Sequence, residues 1–312
     1  MQKMELEITG GTLCYEMTGE TARVVEYGGL GLKVEIPACI EGNSVTEIGK
    51  KAFLSRKNLR EVVIPDGVEE IGDWAFAHCD GLVWVSLPGR KIRFGKAVFK
   101  DCGRLEAIRV RNLEEKGMQA CGKGHGRRET KSGVPKLLAA AVRWMDAYYL
   151  LDPQEAGGKE WTEKWDARLL SILLAPDQEG YSKQVLCGEE DYGSTDLDAF
   201  KSSRRKVKVR LAFLRLLYPI GLSKAFETEL ENYLRGHTKG KSGEEAWLVL
   251  KEEHGNDREY YELFAELGCV DEANCDGILS DIGEAYPEMK AYFMRIMEGK
   301  SCAEDFFADL EL

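Results

Sequence analysis

Between residues 45 and 110 the chain repeats one hydrophobic text at a step of 23. Three lines align: VTEIGKKAFLSRKNL (45–59), VEEIGDWAFAHCDGL (68–82) and KIRFGKAVFKDCGRL (91–105). Ile48, Ile71 and Phe94 recur, then Gly49, Gly72 and Gly95, then Phe53, Phe76 and Phe99, then Leu59, Leu82 and Leu105. After each leucine comes an alternating phrase, REVVIPDG, VWVSLPGR or EAIRVRNL, and an earlier copy, LKVEIPAC, is offset by a five-residue insertion. Alternation with period two predicts a strand with opposite residues on opposite faces. Val62 with Ile64, Val85 with Leu87, and Ile108 with Val110 point inward. Pro65 and Pro88 end their strands, because proline has no amide hydrogen for a ladder. A fixed period of this length is the mark of a solenoid: one coil cannot bury its own apolar face, so neighbouring coils stack. The preceding LEITGGTLCYEMTGETARVVEY alternates around Gly10-Gly11 and Gly19 and predicts a β-hairpin cap on the open end.

The text changes after Leu113. Residues 114–133 are Gly-rich and charged and read as a linker. Val134-Pro135 then opens the apolar-periodic run KLLAAAVRWMDAYYLL, with proline in a first helical turn. Further helices are predicted at 160–174, 203–218, 222–236, 243–254, 257–268, 287–298 and 302–310, with one more inside DEANCDGILSDIGEAY; Ser301 and Glu304 form a capping box. The expected fold class is α+β in two parts: a leucine-rich solenoid with its hairpin cap over 1–113, then an all-α domain over 134–312.

The 64–82 line, IPDGVEEIGDWAFAHCDGL, and its neighbours resemble BspA-like leucine-rich repeats, whose pattern is close to IP-x-x-V-x-x-IG-x-x-AF-x-x-C-x-x-L. The resemblance covers about residues 32–110. This chain departs from the pattern at Arg56, where the later lines have Cys79 and Cys102, and at Lys91, Phe94 and Val98 in the third line. The resemblance implies protein binding, in a family that is often extracellular. The helical half is loosely similar to ankyrin-type arrays, without their TPLH-like turn.

Charge and cysteine usage narrow the partner. A net charge of −11 opposes bulk attraction to nucleic acid or anionic membrane, and no run approaches the ~20 apolar residues of a membrane span. Nine cysteines form no CxxC pair, which suits free thiols in a reducing compartment. The start, MQKMELEIT, has no apolar export run. The expected location is therefore cytoplasmic, with an exported adhesin as the alternative if a signal has been removed.

Catalytic and cofactor motifs fail on chemistry. GHTKGKS (236–242) lacks the P-loop's first glycine, since Arg235 holds that position, and it follows a helix. GHGRRETKS (124–132) has Thr130 where glycine is needed. Cys121 and His125 supply two of the four ligands zinc wants and no orienting carboxylate for a nucleophile. The basic run KSSRRKVKVR (201–210) has no interleaved aromatics and follows the acidic EEDYGSTDLD; it reads as a solvated helix start. Glu244–Glu245 and Glu252–Glu253 read as a wet helix face. No cofactor, metal or enzyme activity is expected, with an enzyme site in the helical half as the second alternative.

The expected binding face is the outer side of the solenoid strands. It comprises Lys33 and Glu35, Glu61 and Val63, Trp84 and Ser86, then Ala107 and Arg109, all flanking the inward pairs. Trp and Arg are the types that dominate interface energetics, and the expected partner is a protein.

Overall fold

The computed structural model describes residues 3–111, 133–181 and 196–298. Among these residues lie two compact units, Met1–Arg168 and Leu169–Leu312. The linker expected over 114–133 falls outside the described residues except for Gly133. So do Cys121, His125 and the helix expected at 302–310.

The first unit opens with an antiparallel meander, β1 (Met4–Ile8), β2 (Gly11–Thr18) and β3 (Thr21–Gly29). Gly10 and Gly19 take positive φ at its two turns. The coils follow. Their front strands are β4 (Lys33–Glu35), β7 (Glu61–Val63), β9 (Trp84–Leu87) and β11 (Ala107–Val110). They form a parallel four-stranded sheet in the order β11-β9-β7-β4. The back strands β6 (Asn43–Ile48), β8 (Glu70–Ile71) and β10 (Arg93–Phe94) continue the meander's sheet, and the insertion forms β5 (Cys39–Ile40) against β6. The hairpin cap is thus joined to the solenoid through the β3–β6 pairing.

The inward residues lie where the alternation puts them: Val34, Val62, Ile64, Val85, Leu87 and Ile108 are fully buried. Behind them the repeated phenylalanine builds a column. Tyr27, Phe53, Phe76 and Phe99 stack with centroids 5.2, 4.9 and 5.6 Å apart. Each ring's amide is held by the next coil: Tyr27 N–H donates to Ala52 O, Phe53 to Ala75 and Phe76 to Val98. The repeated cysteine reaches back in the same way. The Cys79 thiol donates to Phe53 O and the Cys102 thiol to Phe76 O. Burial pushes the Cys79 thiol up to about 11 and the Cys102 thiol up to about 12. Cys39 is exposed. A thiol reagent in the native state is therefore expected to label Cys39 promptly and to reach Cys79 and Cys102 only after unfolding. Rapid native labelling of Cys79, read by peptide mass spectrometry, would contradict this packing.

The repeated glycine is required by close approach rather than by φ. A Cβ on Gly72 would lie 2.7 Å from Lys50 N, and one on Gly95 would lie 2.4 Å from Asp73 N. The third line's departures have a visible effect. Ile92 is buried while Lys91 is exposed and Phe94 half-buried, so the apolar position has moved by one residue.

Two other repeat positions carry left-handed backbone without glycine. Lys51, Trp74 and Ala97 have φ of 60°, 60° and 52°; Ser55, His78 and Asp101 have φ of 59°, 56° and 56°. This conformation costs an L-residue about 1–2 kcal/mol, whereas glycine pays about 0.5–1 kcal/mol in backbone entropy. Ser55 is exposed, so Ser55→Gly is expected to raise stability by about 0.5 kcal/mol. A urea midpoint lower than wild type would refute that reading.

The helices of the first unit are α1 (Gly133–Arg143), a 3₁₀ turn at Tyr148–Leu150, and the start of α2 (Lys159–Leu174). α1, placed in the helical domain by the sequence pattern, packs on β11 within the first unit. Trp165 Nε1 donates to Leu137 O and Trp161 Nε1 to Leu150 O, which fastens these pieces together. Tyr148 lies beside Phe99, the last ring of the column, at the wall of one cavity, and burial pushes its phenol up to about 12.

The second unit contains α3 (Leu197–Leu217), α4 (Lys224–Gly236), α5 (Glu245–His254), α6 (Arg258–Glu266), α7 (Cys275–Ile282) and α8 (Pro287–Met297). α3 packs against α4, α5 and α6, and α8 against α6 and α7. One long helix is thus shared by three others, whereas in a stacked array each repeat touches only its neighbours. Trp247, Phe213, Phe264 and Phe293 are fully buried. α3 starts six residues before its predicted position because the Asp196 side chain caps it, accepting from Asp198 N.

Candidate functional site

The strand register sets the expected face residue by residue. Ala107, Trp84, Glu61 and Lys33 are lateral neighbours, and so are Arg109, Ser86, Val63 and Glu35. Two parallel rows therefore run across the four front strands. Seven of the eight residues are exposed or half-buried; Ala107 is 2% exposed and offers nothing to a partner. It lies on β11, the strand α1 packs against.

The two middle strands present Glu61 with Val63 and Trp84 with Ser86; the outer two present Lys33 with Glu35 and Ala107 with Arg109. Trp84 is half-buried, with the Arg109 guanidinium 4.2 Å from its ring centroid. The two sit diagonally on neighbouring strands, a spacing still within reach of long side chains. A guanidinium over an indole face is an attractive pairing, so Trp84 has one face covered within its own sheet. The Ser86 hydroxyl accepts from Arg111, whose guanidinium also binds Asp66. At the other margin Lys33 pairs with Glu35 at 2.9 Å and with Glu61 at 3.5 Å. Lys33, Arg109, Glu35 and Glu61 cancel in charge, so this face has no bulk pull on a polyanion.

The Trp84–Arg109 pair was not foreseen from sequence. Its signal is arithmetic: a 23-residue step plus two puts position 109 diagonal to 84. The burial of Ala107 had no local signal, because a distant helix supplies the cover.

Two of the rejected motifs, GHTKGKS and the basic run, lie among the described residues and have structural partners; GHGRRETKS lies outside them. GHTKGKS is the loop between α4 and α5, with Ser242 Oγ donating to Gly236 O and Lys241 paired with Asp271. The basic run lies within α3. Its charges are met largely by carboxylates outside the expected acidic neighbour: Asp177 with Arg205 and Lys208, Glu252 with Lys206, and Glu253 with Arg210. Burial favours the neutral form of Asp177, but Lys208 and Arg205 outweigh it and hold the carboxyl below its usual range. Glu245, read as part of a wet helix face, is buried and paired with Arg205 instead.

Among the described residues no cluster of three or more His, Cys, Asp or Glu side chains could hold a metal. No described helix is long and apolar enough to cross a membrane. A cavity of about 500 Å³ opens in the first unit where the last coil meets residues 142–148, between Trp74, Phe99, Cys102 and Trp144.

Comparison with known proteins gives a repeat family. The model of the BspA-type leucine-rich repeat region matches in six copies over residues 33–123. No curated protein matches the chain. Among solved structures, a leucine-rich repeat protein of T. pallidum is 31% identical over 31% of this chain and 46% of its own, with a TM-score of 0.29. A leucine-rich cell surface protein of Faecalibacterium prausnitzii A2-165 is 25% identical over 35% and 32%, with a TM-score of 0.29. A leucine-rich repeat protein of Bacteroides ovatus ATCC 8483 is 29% identical over 33% and 28%, also at 0.29. The match thus spans less than half the length of each of these proteins. The family match runs past the last described coil to residue 123, where Gly117, Ala120 and Cys121 stand 22 residues after Gly95, Val98 and Phe99. The period and the stacked column of residues 33–111 agree with the repeat that the BspA-type leucine-rich repeat model describes.

Proposed function

We propose that this protein is a non-catalytic binding module, and that the outer face of its front sheet holds a protein partner. The observation that carries this reading is the pair of lateral rows, with Trp84 and Arg109 at one end and the Lys33–Glu61 pair at the other. A flat, charge-balanced face with an aromatic anchor suits protein surfaces better than phosphate backbones. The six described cysteines are free thiols, which supports action in a reducing compartment such as the cytoplasm.

Site-specific photocrosslinking in the source cell tests the face. A benzophenone side chain at Val63 or Ser86 is expected to capture one and the same protein. The same group at Lys50, exposed on the back of the coil, is expected to capture none of it. Capture from Lys50 alone would move the binding surface to the back. With the partner in hand, Trp84→Ala is expected to weaken binding by about 2 kcal/mol, or roughly 30-fold, with folding intact. Arg109→Ala should cost less. A fall in thermal stability with unchanged affinity would make Trp84 a packing residue and would end this assignment.

A further inference from the structure

The front sheet has two edges of different kinds. At one end α1 packs on β11. At the other end, among the described residues, β4 is bonded only on its β7 side. Glu61 N–H donates to Leu32 O, and Ile36 N–H donates to Val63 O. The backbone groups of Leu32, Val34 and Ile36 therefore face β7. By the alternation of a strand, those of Lys33 and Glu35 face away, and no bond to them is recorded among the described residues. Their side chains are exposed, as are Leu30 and Leu32 just before them, at 79% and 62%.

We infer that β4 pairs antiparallel with β4 of a second copy of this chain, about a two-fold axis at Val34. In that register Lys33 lies opposite Glu35 of the other copy, and Glu35 opposite its Lys33. Both residues of each pair present N–H and C=O toward the partner, so each pair exchanges two backbone hydrogen bonds. Each pair also sets opposite charges face to face, the favourable cross-strand arrangement. On the core side, Leu32 comes opposite Ile36 of the other copy and loses its exposure. The pairing ends itself one step further out. There Gly31, whose amide already donates to Gly10 O, would meet Pro37, which has no amide hydrogen.

The charges select this occupant. Lysine and glutamate on an edge strand deter unrelated strands, but the order Lys-Val-Glu is its own complement when reversed. The outer edge of the other sheet is the contrast. β1 carries Glu5 and Glu7, and self-pairing centred on Leu6 would set glutamate against glutamate. Because the β11 end is covered by α1, the contact closes as a two-fold dimer and cannot propagate as a fibre. The front sheet then has eight strands and two copies of the Trp84 row.

So short a pairing gives a weak dimer, with dissociation on the order of 100 μM expected for a small interface. Sedimentation velocity on the intact chain over about 5 μM to 1 mM reads it. The expected result is a concentration-dependent shift from monomer to dimer. Lys33→Glu and Glu35→Lys each put like charges across the axis and are expected to weaken self-association at least about tenfold, roughly 1.4 kcal/mol. Mixed in equal amounts, the two variants again set opposite charges across the axis and are expected to recover the dimer as a heterodimer. Circular dichroism matching wild type shows each variant folded; Glu35→Pro, which removes only an outward amide, is the substitute if one does not fold. A wild-type monomer at every concentration overturns the inference. So does a dimer that neither charge reversal weakens, or a mixture that stays monomeric.

Discussion

Phe76→Ala is expected to destabilise the first unit by about 3–5 kcal/mol, the usual cost of emptying a buried phenylalanine site. The ring is fully buried and stacks on Phe53 on one side and Phe99 on the other. It leaves a hole at a coil junction with no third layer to relax into it. In a stack where each coil is held only by its neighbours, a defect in the middle also uncouples the coils on both sides. Phe99→Ala should cost less, because among the described residues Phe99 has a stacked ring on one side only. Urea denaturation followed by circular dichroism measures the difference. A loss below about 1 kcal/mol at Phe76 would mean that the coils are held by their strand ladders and not by the column.

Arg215→Met is expected to cost about 2 kcal/mol in the second unit. Arg215 is 1% exposed near the end of α3. Its guanidinium donates to Tyr218 O at 2.7 Å and Ile220 O at 2.8 Å. These are carbonyls just past the helix C-terminus, where positive charge is favoured. Methionine fills much of the volume but leaves Ile220 O without this donor, at about 1–3 kcal/mol, while Tyr218 O still accepts from the Ile220 amide. Lysine is expected to recover only part of the loss, because an ammonium cannot hold two acceptors in a rigid fork. Equal stability of the Met and wild-type proteins in guanidinium titrations would show the carbonyls to be satisfied otherwise.

The solenoid was legible in the sequence because its physics is local and repeated. Leu-x-x-Val-x-Leu fixes a strand, and the same residues 23 positions later fix its neighbour. The face residues followed from alternation alone. What alternation could not supply was anything contributed from outside the repeat. The α1 helix packs on β11, where Ala107 is buried, and Tyr148 lies beside Phe99; both arrive across the stretch 112–132. In the second unit, helix positions were readable from apolar spacing. The buried charges were not: Arg215 and Glu245 look like ordinary polar surface residues until the chain folds around them.

The two ends of the aromatic column suggest how the protein can change length. At its start the Tyr27 hydroxyl donates to Gly10 O, and at its finish Tyr148 lies beside Phe99. From Phe53 to Phe99 the two junctions are made by the same groups at the same offsets, Phe N–H to the next coil's carbonyl and Cys thiol back to the previous Phe carbonyl. A gene duplication of one 23-residue unit, such as residues 68–90, would meet matching partners above and below and leave both stops in place. The recognition face can therefore be widened by evolution, or by a designer, in whole steps of one strand, each adding two side chains to its rows.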